Sequence, residues 1–130
     1  AYSRAVKRWP DSPTSLNAYG YTLADHTDRY REAERLIRRA LKYDPESPAI
    51  IDSLGWVLFK RGRLEEALTE LTRAYERLDD PEVASHIIEV LAALQRKDEA
   101  IELLVAAESK DPDNPLLKGV RERVLPELDD

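Results

Sequence analysis

The sequence contains no cysteine, no methionine and no long apolar run. Without cysteine, the chain cannot form disulfides, use thiol chemistry or bind zinc through thiolates. No apolar stretch approaches the roughly 18 residues that a membrane span needs, so no direct membrane insertion of these residues is expected. Signal peptides and basic targeting segments are not recognisable either. A reducing cytosol and a disulfide-free periplasmic domain both fit this composition.

Acidic residues outnumber basic ones, 26 to 20, which gives a net charge of −6 at pH 7. This balance is not typical of nucleic-acid binding, so no nucleic-acid partner is expected. Residues 1–43 nevertheless carry nine basic and five acidic residues. A solvated outer helix face is our first interpretation of the basic segment, and a site for an acidic partner is the second. Its basic residues are Arg31, Arg35, Arg38, Arg39 and Lys42.

The sequence also lacks a recognisable catalytic constellation. Its two histidines, His26 and His86, lie about 60 residues apart. There is no Ser-His-Asp order, glycine-rich phosphate loop or HExxH motif. Adjacent carboxylates such as Glu65 and Glu66 are common on solvated helices. We therefore expect no enzyme activity in this chain, no cofactor and no metal site, and we expect His86 to pack or to line a groove.

Residues 48–79 show what the sequence does contain, which is a helix, a tight turn and a second helix. The turn is predicted at Arg61-Gly62-Arg63. Small residues, among them Gly55, Ala67 and Ala74, stand where the two helices must approach closely. Such a hairpin cannot bury its apolar face alone, so it needs copies of itself on either side.

The copies are marked by a capping residue followed by proline, because these residue types suit the start of a helix. The pairs are Ser12-Pro13, Ser47-Pro48, Asp80-Pro81 and Asn114-Pro115, with prolines spaced 35, 33 and 34 apart. A small residue late in each second helix recurs at Ala5, Ala40, Ala74 and Ala107. Both series average the 34-residue period of tetratricopeptide repeats. The chain therefore resembles the tetratricopeptide-repeat (TPR) family over nearly all its length.

This resemblance implies an all-α fold, a right-handed α-α superhelix of three helix-turn-helix hairpins. We expect one domain over residues 1–130. Its parts are the tail of a truncated repeat (1–11), repeat one (13–47), repeat two (48–79), repeat three (81–113) and a closing helix (114–125). Because the chain starts inside a repeat and without methionine, we expect it to be a fragment of a longer protein.

Two local departures from the repeat pattern carry predictions. Ile88 stands where the other repeats have the packing glycines Gly20 and Gly55, and Gln95 stands at the turn position of Gly62. The third hairpin should therefore be the loosest, because a bulky side chain occupies a close approach.

The truncated first helix carries a further prediction, because its partner helix is missing. Its side chains Tyr2, Val6 and Trp9 should form an exposed apolar face.

In the TPR family the first helices line the concave face of the superhelix, and this places the candidate partner-binding groove. The implied groove residues are Asn17, Tyr21, Asp25, Asp52, Trp56, Phe59, Lys60, Ser85 and Glu89. We expect Tyr21, Trp56 and Phe59 to be aromatic anchors for a partner. The alternative is that Trp56 and Phe59 pack against the neighbouring helix.

One TPR subset grips the carboxylate at the end of chaperones with lysine and asparagine side chains. The corresponding positions here are Asn17, Tyr21, Ser53, Glu82 and His86. They include no lysine, and Glu82 would repel a carboxylate. We therefore do not expect a clamp of this kind.

The family resemblance implies a non-catalytic scaffold or adaptor that binds a protein or peptide in the groove. One alternative is a structural solenoid segment, or a homodimer through the exposed N-terminal helix. Another is a regulatory arm of an enzyme whose catalytic domain lies outside this chain.

The stretches GYTLADHTDRYREAERLIRRAL and DSLGWVLFKRGRLEEAL are similar to the C-terminal repeats of bacterial outer-membrane TPR lipoproteins. Some of these are adaptors for a periplasmic carboxy-terminal processing protease. This narrower resemblance implies a place at the periplasmic face of the outer membrane, with the lipid-bearing cysteine upstream. If the chain is not related to these lipoproteins, a cytoplasmic location is expected.

Overall fold

Seven α-helices follow one another in this computed structural model, which describes residues 12–129. They are α1 (Pro13–His26), α2 (Tyr30–Tyr43), α3 (Pro48–Lys60), α4 (Leu64–Arg77), α5 (Pro81–Ala93), α6 (Lys97–Lys110) and α7 (Pro115–Val124). A short 3-10 helix, Pro126–Asp129, follows them. No strand occurs within residues 12–129. The predicted all-α class is confirmed.

Helices α1, α3, α5 and α7 all begin in the same way. Proline lies in the first turn, and the side chain of the preceding residue accepts a hydrogen bond from a backbone N–H group of that turn. The four caps are Ser12, Ser47, Asp80 and Asn114. A cap of this kind contributes about 1 kcal/mol to helix stability, so these residues set where each helix starts.

The helices form an inner and an outer layer of a superhelix. Each first helix pairs with the helix after it, so that α1 packs on α2, α3 on α4 and α5 on α6. The first helices α1, α3, α5 and α7 also contact one another in order and form the concave layer. All nine residues from Ile50 to Leu58 in α3 are buried, as expected for a helix enclosed by neighbours on every side.

Glycines let the two helices approach closely in the first two hairpins. A Cβ atom on Gly55 would lie 2.5 Å from Leu71 Cγ, and one on Gly20 would lie 2.7 Å from Ile37 Cγ1. In the third hairpin this place holds Ile88, which is fully buried. Fewer residues of α5 and α6 approach each other closely than in the other two pairs. This agrees with the prediction of a looser third hairpin.

The tight turns after α3 and α5 share one hydrogen-bonding pattern. The N–H groups of Gly62 and Arg63 donate to Phe59 and Leu58, closing α3 with a left-handed residue at Gly62 (φ 79°). The same pair of bonds closes α5, and there Gln95 adopts φ 63°. A non-glycine residue in this region is strained, because its Cβ crowds the backbone.

Charged side chains cover the outer layer and tie successive repeats together. Three ion pairs each join residues 31 positions apart, and they are Glu46–Arg77, Glu65–Arg96 and Asp79–Lys110. The basic residues Arg31, Arg35, Arg38 and Lys42 lie in α2 on this outer layer, where they are exposed. Their exposure fits a solvated outer helix face, our first interpretation, and the site for an acidic partner stays a prediction.

Within residues 12–129, no helix has both the length and the apolar composition required to cross a bilayer. The prediction of an exposed apolar face on the first helix concerns Tyr2, Val6 and Trp9. These three residues lie outside the described part of the chain.

Candidate binding groove

The inner helices α1, α3 and α5 bring the predicted groove residues together at equivalent positions. Tyr21, Trp56 and Glu89 each lie eight residues after the proline that opens their helix. All the predicted groove residues except Phe59 line two adjoining clefts between these helices.

The first cleft, which we call the acidic cleft, lies between the amino-terminal halves of the three helices and has a volume of about 340 Å³. Asp52, Asp80 and Glu82 are its carboxylates. Ala18, Ala49, Leu78 and Val83 form its apolar wall, and Asn17 and Tyr21 also line it.

The second cleft, the mixed cleft, lies toward the carboxy-terminal halves of the same helices and measures about 390 Å³. Both signs of charge line it. Lys60 and Arg123 are its basic residues, and its acidic residues are Asp25, Glu82 and Glu89. Arg123 of α7 lies 3.3 Å from the Glu89 carboxylate, so Glu89 is paired within the chain.

Trp56 is part of the packed interior and lies beneath this groove. Only 6% of its surface is exposed. Its ring stacks on His86 at 4.2 Å between centroids and lies 5.2 Å from the ring of Phe59. The ammonium group of Lys60 covers the ring at 4.8 Å from its centroid.

The burial of Trp56 favours the packing alternative for that residue, whereas Phe59 is half-buried and its role as an anchor stays a prediction. Phe59 packs against the core and lines neither cleft. The two clefts lie between α3 and its neighbours, and a ring that fills the space between these helices has little surface left for a partner. Trp56 instead lines the floor of the mixed cleft with little exposed surface.

Asp52 and His86 form a buried pair that links α3 to α5. The Asp52 carboxylate lies 2.9 Å from His86 Nδ1, and both residues are 6% exposed. Because a carboxylate only accepts hydrogen bonds, His86 donates. Sequence reasoning selected Asp52 for the groove and gave His86 only a general packing or groove role. The spacing of the two residues, 34 positions, is the repeat period and could have indicated their contact.

Tyr21 and Glu82 link α1 to α5 across the groove. The Tyr21 hydroxyl donates to a Glu82 carboxylate oxygen at 3.4 Å. Burial raises the pKa of the Tyr21 hydroxyl above its usual value, and the negative charges of Glu82, Asp25 and Asp52 raise it further. Three carboxylates, those of Glu82, Asp25 and Asp52, therefore act on the Tyr21 hydroxyl.

Asp52, Glu82 and His86 also form a group with the donor types that bind metal ions. In the described part of the chain, they are the group whose ligand atoms lie within 4.8 Å of one another. However, His86 Nδ1 is already engaged with Asp52. Internal hydrogen bonds account for this arrangement.

Two exposed leucines at the groove were missed by sequence reasoning. Leu78 is 47% exposed and lines the acidic cleft, and Leu116 is 46% exposed and lines the mixed cleft. Leu116 precedes the buried positions Leu117 and Val120 of α7. Because Leu116 falls outside the helical spacing of these buried positions, the sequence could have indicated its exposure. Leu78 lies in a linker, where no periodicity indicates exposure.

A family model described as tetratricopeptide repeat matches residues 23–83 and 53–115, which together span more than half of the chain. The chain belongs to the tetratricopeptide-repeat family. It is 49% identical over 82 residues to TPR repeat-containing protein PA4667 of Pseudomonas aeruginosa. That match covers 63% of this chain and 14% of the relative, so the chain spans a small part of that protein.

Solved TPR structures show the same superhelix. TTC0263, a thermophilic TPR protein of Thermus thermophilus, matches with a TM-score of 0.80 at 21% identity over 95% of this chain and 69% of its own. MamA matches with 0.74 at 20% identity over 94% and 74%. YrrB, described as a TPR protein with an unusual peptide-binding site, matches with 0.67 at 28% identity over 85% and 57%.

Proposed function

We propose that this chain binds an extended protein segment in the groove formed by α1, α3 and α5, as a non-catalytic scaffold or adaptor. Tetratricopeptide repeats are in general protein-interaction scaffolds. The observation that carries the finer proposal is the pair of half-exposed leucines, Leu78 and Leu116, beside two polar clefts on the concave layer. Exposed apolar groups beside convergent polar groups are typical of binding sites.

The two leucines and the buried aromatic residues have different roles in this proposal. Leu78 and Leu116 offer apolar surface that a partner can cover. Trp56 and His86 form a rigid floor, because their rings are stacked and His86 is held by Asp52. A groove that is already ordered loses little side-chain entropy on binding. YrrB, which shares the fold, is described as having a peptide-binding site.

The test uses peptides selected from a randomised decapeptide display library against the 130-residue chain. Fluorescence anisotropy then gives the Kd of each selected peptide. We expect Leu78→Ser and Leu116→Ser to raise the Kd about tenfold each, which corresponds to ~1.4 kcal/mol. Both side chains are half exposed, so neither change should unfold the domain.

Val105→Ser is the matched control, because Val105 is 55% exposed on the outer helix α6. It should leave the Kd unchanged. Failure to select any peptide would contradict the proposal, and so would an equal loss of affinity in all three variants.

The function and location of the whole protein are separate proposals. The lipoprotein resemblance supports an outer-membrane location on the periplasmic side, and we retain it on that basis. Cell fractionation with an antibody against the chain tests it, and a signal confined to the cytoplasm would contradict it. The solenoid segment, the homodimer and the enzyme arm stay predictions.

A further inference from the structure

The acidic cleft has an unbalanced set of charges. Its described lining contains three carboxylates, on Asp52, Asp80 and Glu82, and neither lysine nor arginine. The adjoining mixed cleft differs, because Lys60 and Arg123 line it and Arg123 pairs with Glu89. The groove is thus polarised along the helix axes, with its negative end toward the starts of α3 and α5.

His86 is bonded to Asp52 at 2.9 Å, and neutral groups satisfy part of the hydrogen-bonding capacity of Asp80 and Glu82. Asp80 accepts from the backbone N–H of Glu82 at 2.8 Å, and Glu82 accepts from the Tyr21 hydroxyl at 3.4 Å. Both donors are uncharged. Burial is the first cause of the raised pKa of the Tyr21 hydroxyl, and the negative charges of Glu82, Asp25 and Asp52 raise it further.

The helix starts at this end oppose that potential only weakly. The amino termini of α3 and α5 border the cleft, and each carries roughly half a positive charge. However, the side chains of Ser47 and Asp80 already cap N–H groups of these first turns. Asp52 and Glu82 add full negative charges close by, so the acidic cleft favours a cation over an anion.

We propose that the acidic cleft receives a lysine or arginine side chain of the bound segment. This inference rests on the proposed function and names the chemistry of the partner. The wall of Ala18, Ala49, Leu78 and Val83 suits the aliphatic stem of such a side chain. The exposed Glu82 carboxylate suits its charged head, since charge-assisted hydrogen bonds are the strong ones, and Asp52, which is bonded to His86, adds negative charge behind it. The partner group preferred here is a cation, whereas a carboxylate clamp binds an anion.

The experiment uses the same randomised decapeptide library and the same 130-residue chain. We expect lysine or arginine to be enriched at one position of the selected peptides. Replacing that residue by glutamine in a synthetic peptide should raise the Kd about tenfold, in line with one hydrogen bond to a charged group. Glu82→Gln should remove most of this difference between the two peptides. Added salt should weaken the binding of the cationic peptide more than the binding of its glutamine form.

Glu102→Gln is the matched control, because Glu102 is an exposed carboxylate on α6, away from the groove. It should preserve the discrimination between the two peptides. One outcome would be peptides whose affinity depends on Leu78 and Leu116 but that show no enrichment of basic residues, or that are enriched in acidic ones. This outcome would overturn the inference and leave the proposed function standing. If no peptide depends on the two leucines, both are overturned.

Discussion

Trp56 is enclosed by side chains from its own helix and from α5. His86 stacks on one side of the ring, Phe59 lies beside it and Lys60 covers it. Its equivalents in the other repeats are Tyr21, which is half-buried, and Glu89, which pairs with Arg123. One repeat position therefore serves as interior at α3, where His86 and Lys60 cover the ring, and as groove surface at α1 and α5.

We predict that Trp56→Ala destabilises the domain by about 3–5 kcal/mol, the usual cost of removing a large buried aromatic side chain. Urea denaturation followed by circular dichroism measures this change. Trp56→Phe should cost clearly less, since most of the apolar volume stays. An unchanged midpoint for Trp56→Ala would contradict the assignment of the ring to the packed interior.

Gln95 supplies a second prediction at this scale, because it holds a backbone conformation that suits glycine (φ 63°). We expect Gln95→Gly to stabilise the domain by about 0.5–1 kcal/mol. Relief of a strain of ~1–2 kcal/mol is partly offset by the greater freedom of glycine in the unfolded chain. The side chain of Gln95 is exposed, so little packing is lost.

Gly62→Ala is the reciprocal change at the equivalent turn. A Cβ there would meet nothing within 4 Å, so the expected loss of about 1 kcal/mol reports the backbone conformation alone. Chemical denaturation of both variants gives the comparison. Destabilisation by Gln95→Gly would contradict the strain argument.

At the scale of helices, the repeat period made most of the fold predictable. The caps, the prolines and Gly55 act locally, so their spacing places each inner helix and its partner. The burial of Trp56 depends on how repeats stack. That geometry involves residues one repeat apart, and local periodicity does not encode it. The groove residues were thus predictable as a set, whereas their individual exposure was not.

One carboxylate, that of Glu34, links α2 to the turn that follows α3, and we call this contact the joint between α2 and α3. Glu34 of α2 accepts hydrogen bonds from Arg38 of the same helix at 2.8 Å and from Arg61 after α3 at 2.7 Å. Burial alone would raise the pKa of the Glu34 carboxyl, but the hydrogen bonds and charges of the two arginines outweigh it and hold this pKa below its usual value. The ionised form therefore stabilises the contact between repeats one and two.

We predict an acid-sensitive contribution to stability from Glu34. Its folded-state pKa is lowered, so the contribution is present above the usual carboxyl pKa of about 4.3 and is lost as pH falls through the lower folded value. At pH 7, Glu34→Gln should cost roughly 1.5–3 kcal/mol, the range for hydrogen bonds to charged groups. Urea denaturation between neutral and acid pH should show this difference shrinking.

Glu66→Gln, an exposed carboxylate on α4, is the control for general charge effects. The difference in the free energy of unfolding between this variant and the wild type should stay nearly constant across the pH range. If the gap between wild type and Glu34→Gln stays equally wide at acid pH, the joint does not depend on the ionised carboxylate.

The whole molecule is a linear array in which each repeat contacts its neighbours. Ion pairs 31 residues apart and the contacts among inner helices all join adjacent units. The stability of such an array is close to a sum of repeat terms and interface terms. Helix α7 packs against the third hairpin, and its side chains Leu117 and Val120 are buried.

We predict that damage to α7 spreads only part of the way along the array. Leu117→Ala removes a side chain that is 1% exposed and should cost about 2–5 kcal/mol of local stability. Hydrogen exchange should become faster in α5, α6 and α7, where the third hairpin is already less closely packed, while α1 and α2 keep their protection. Equal loss of protection in every helix would show instead that the repeats unfold as one cooperative unit.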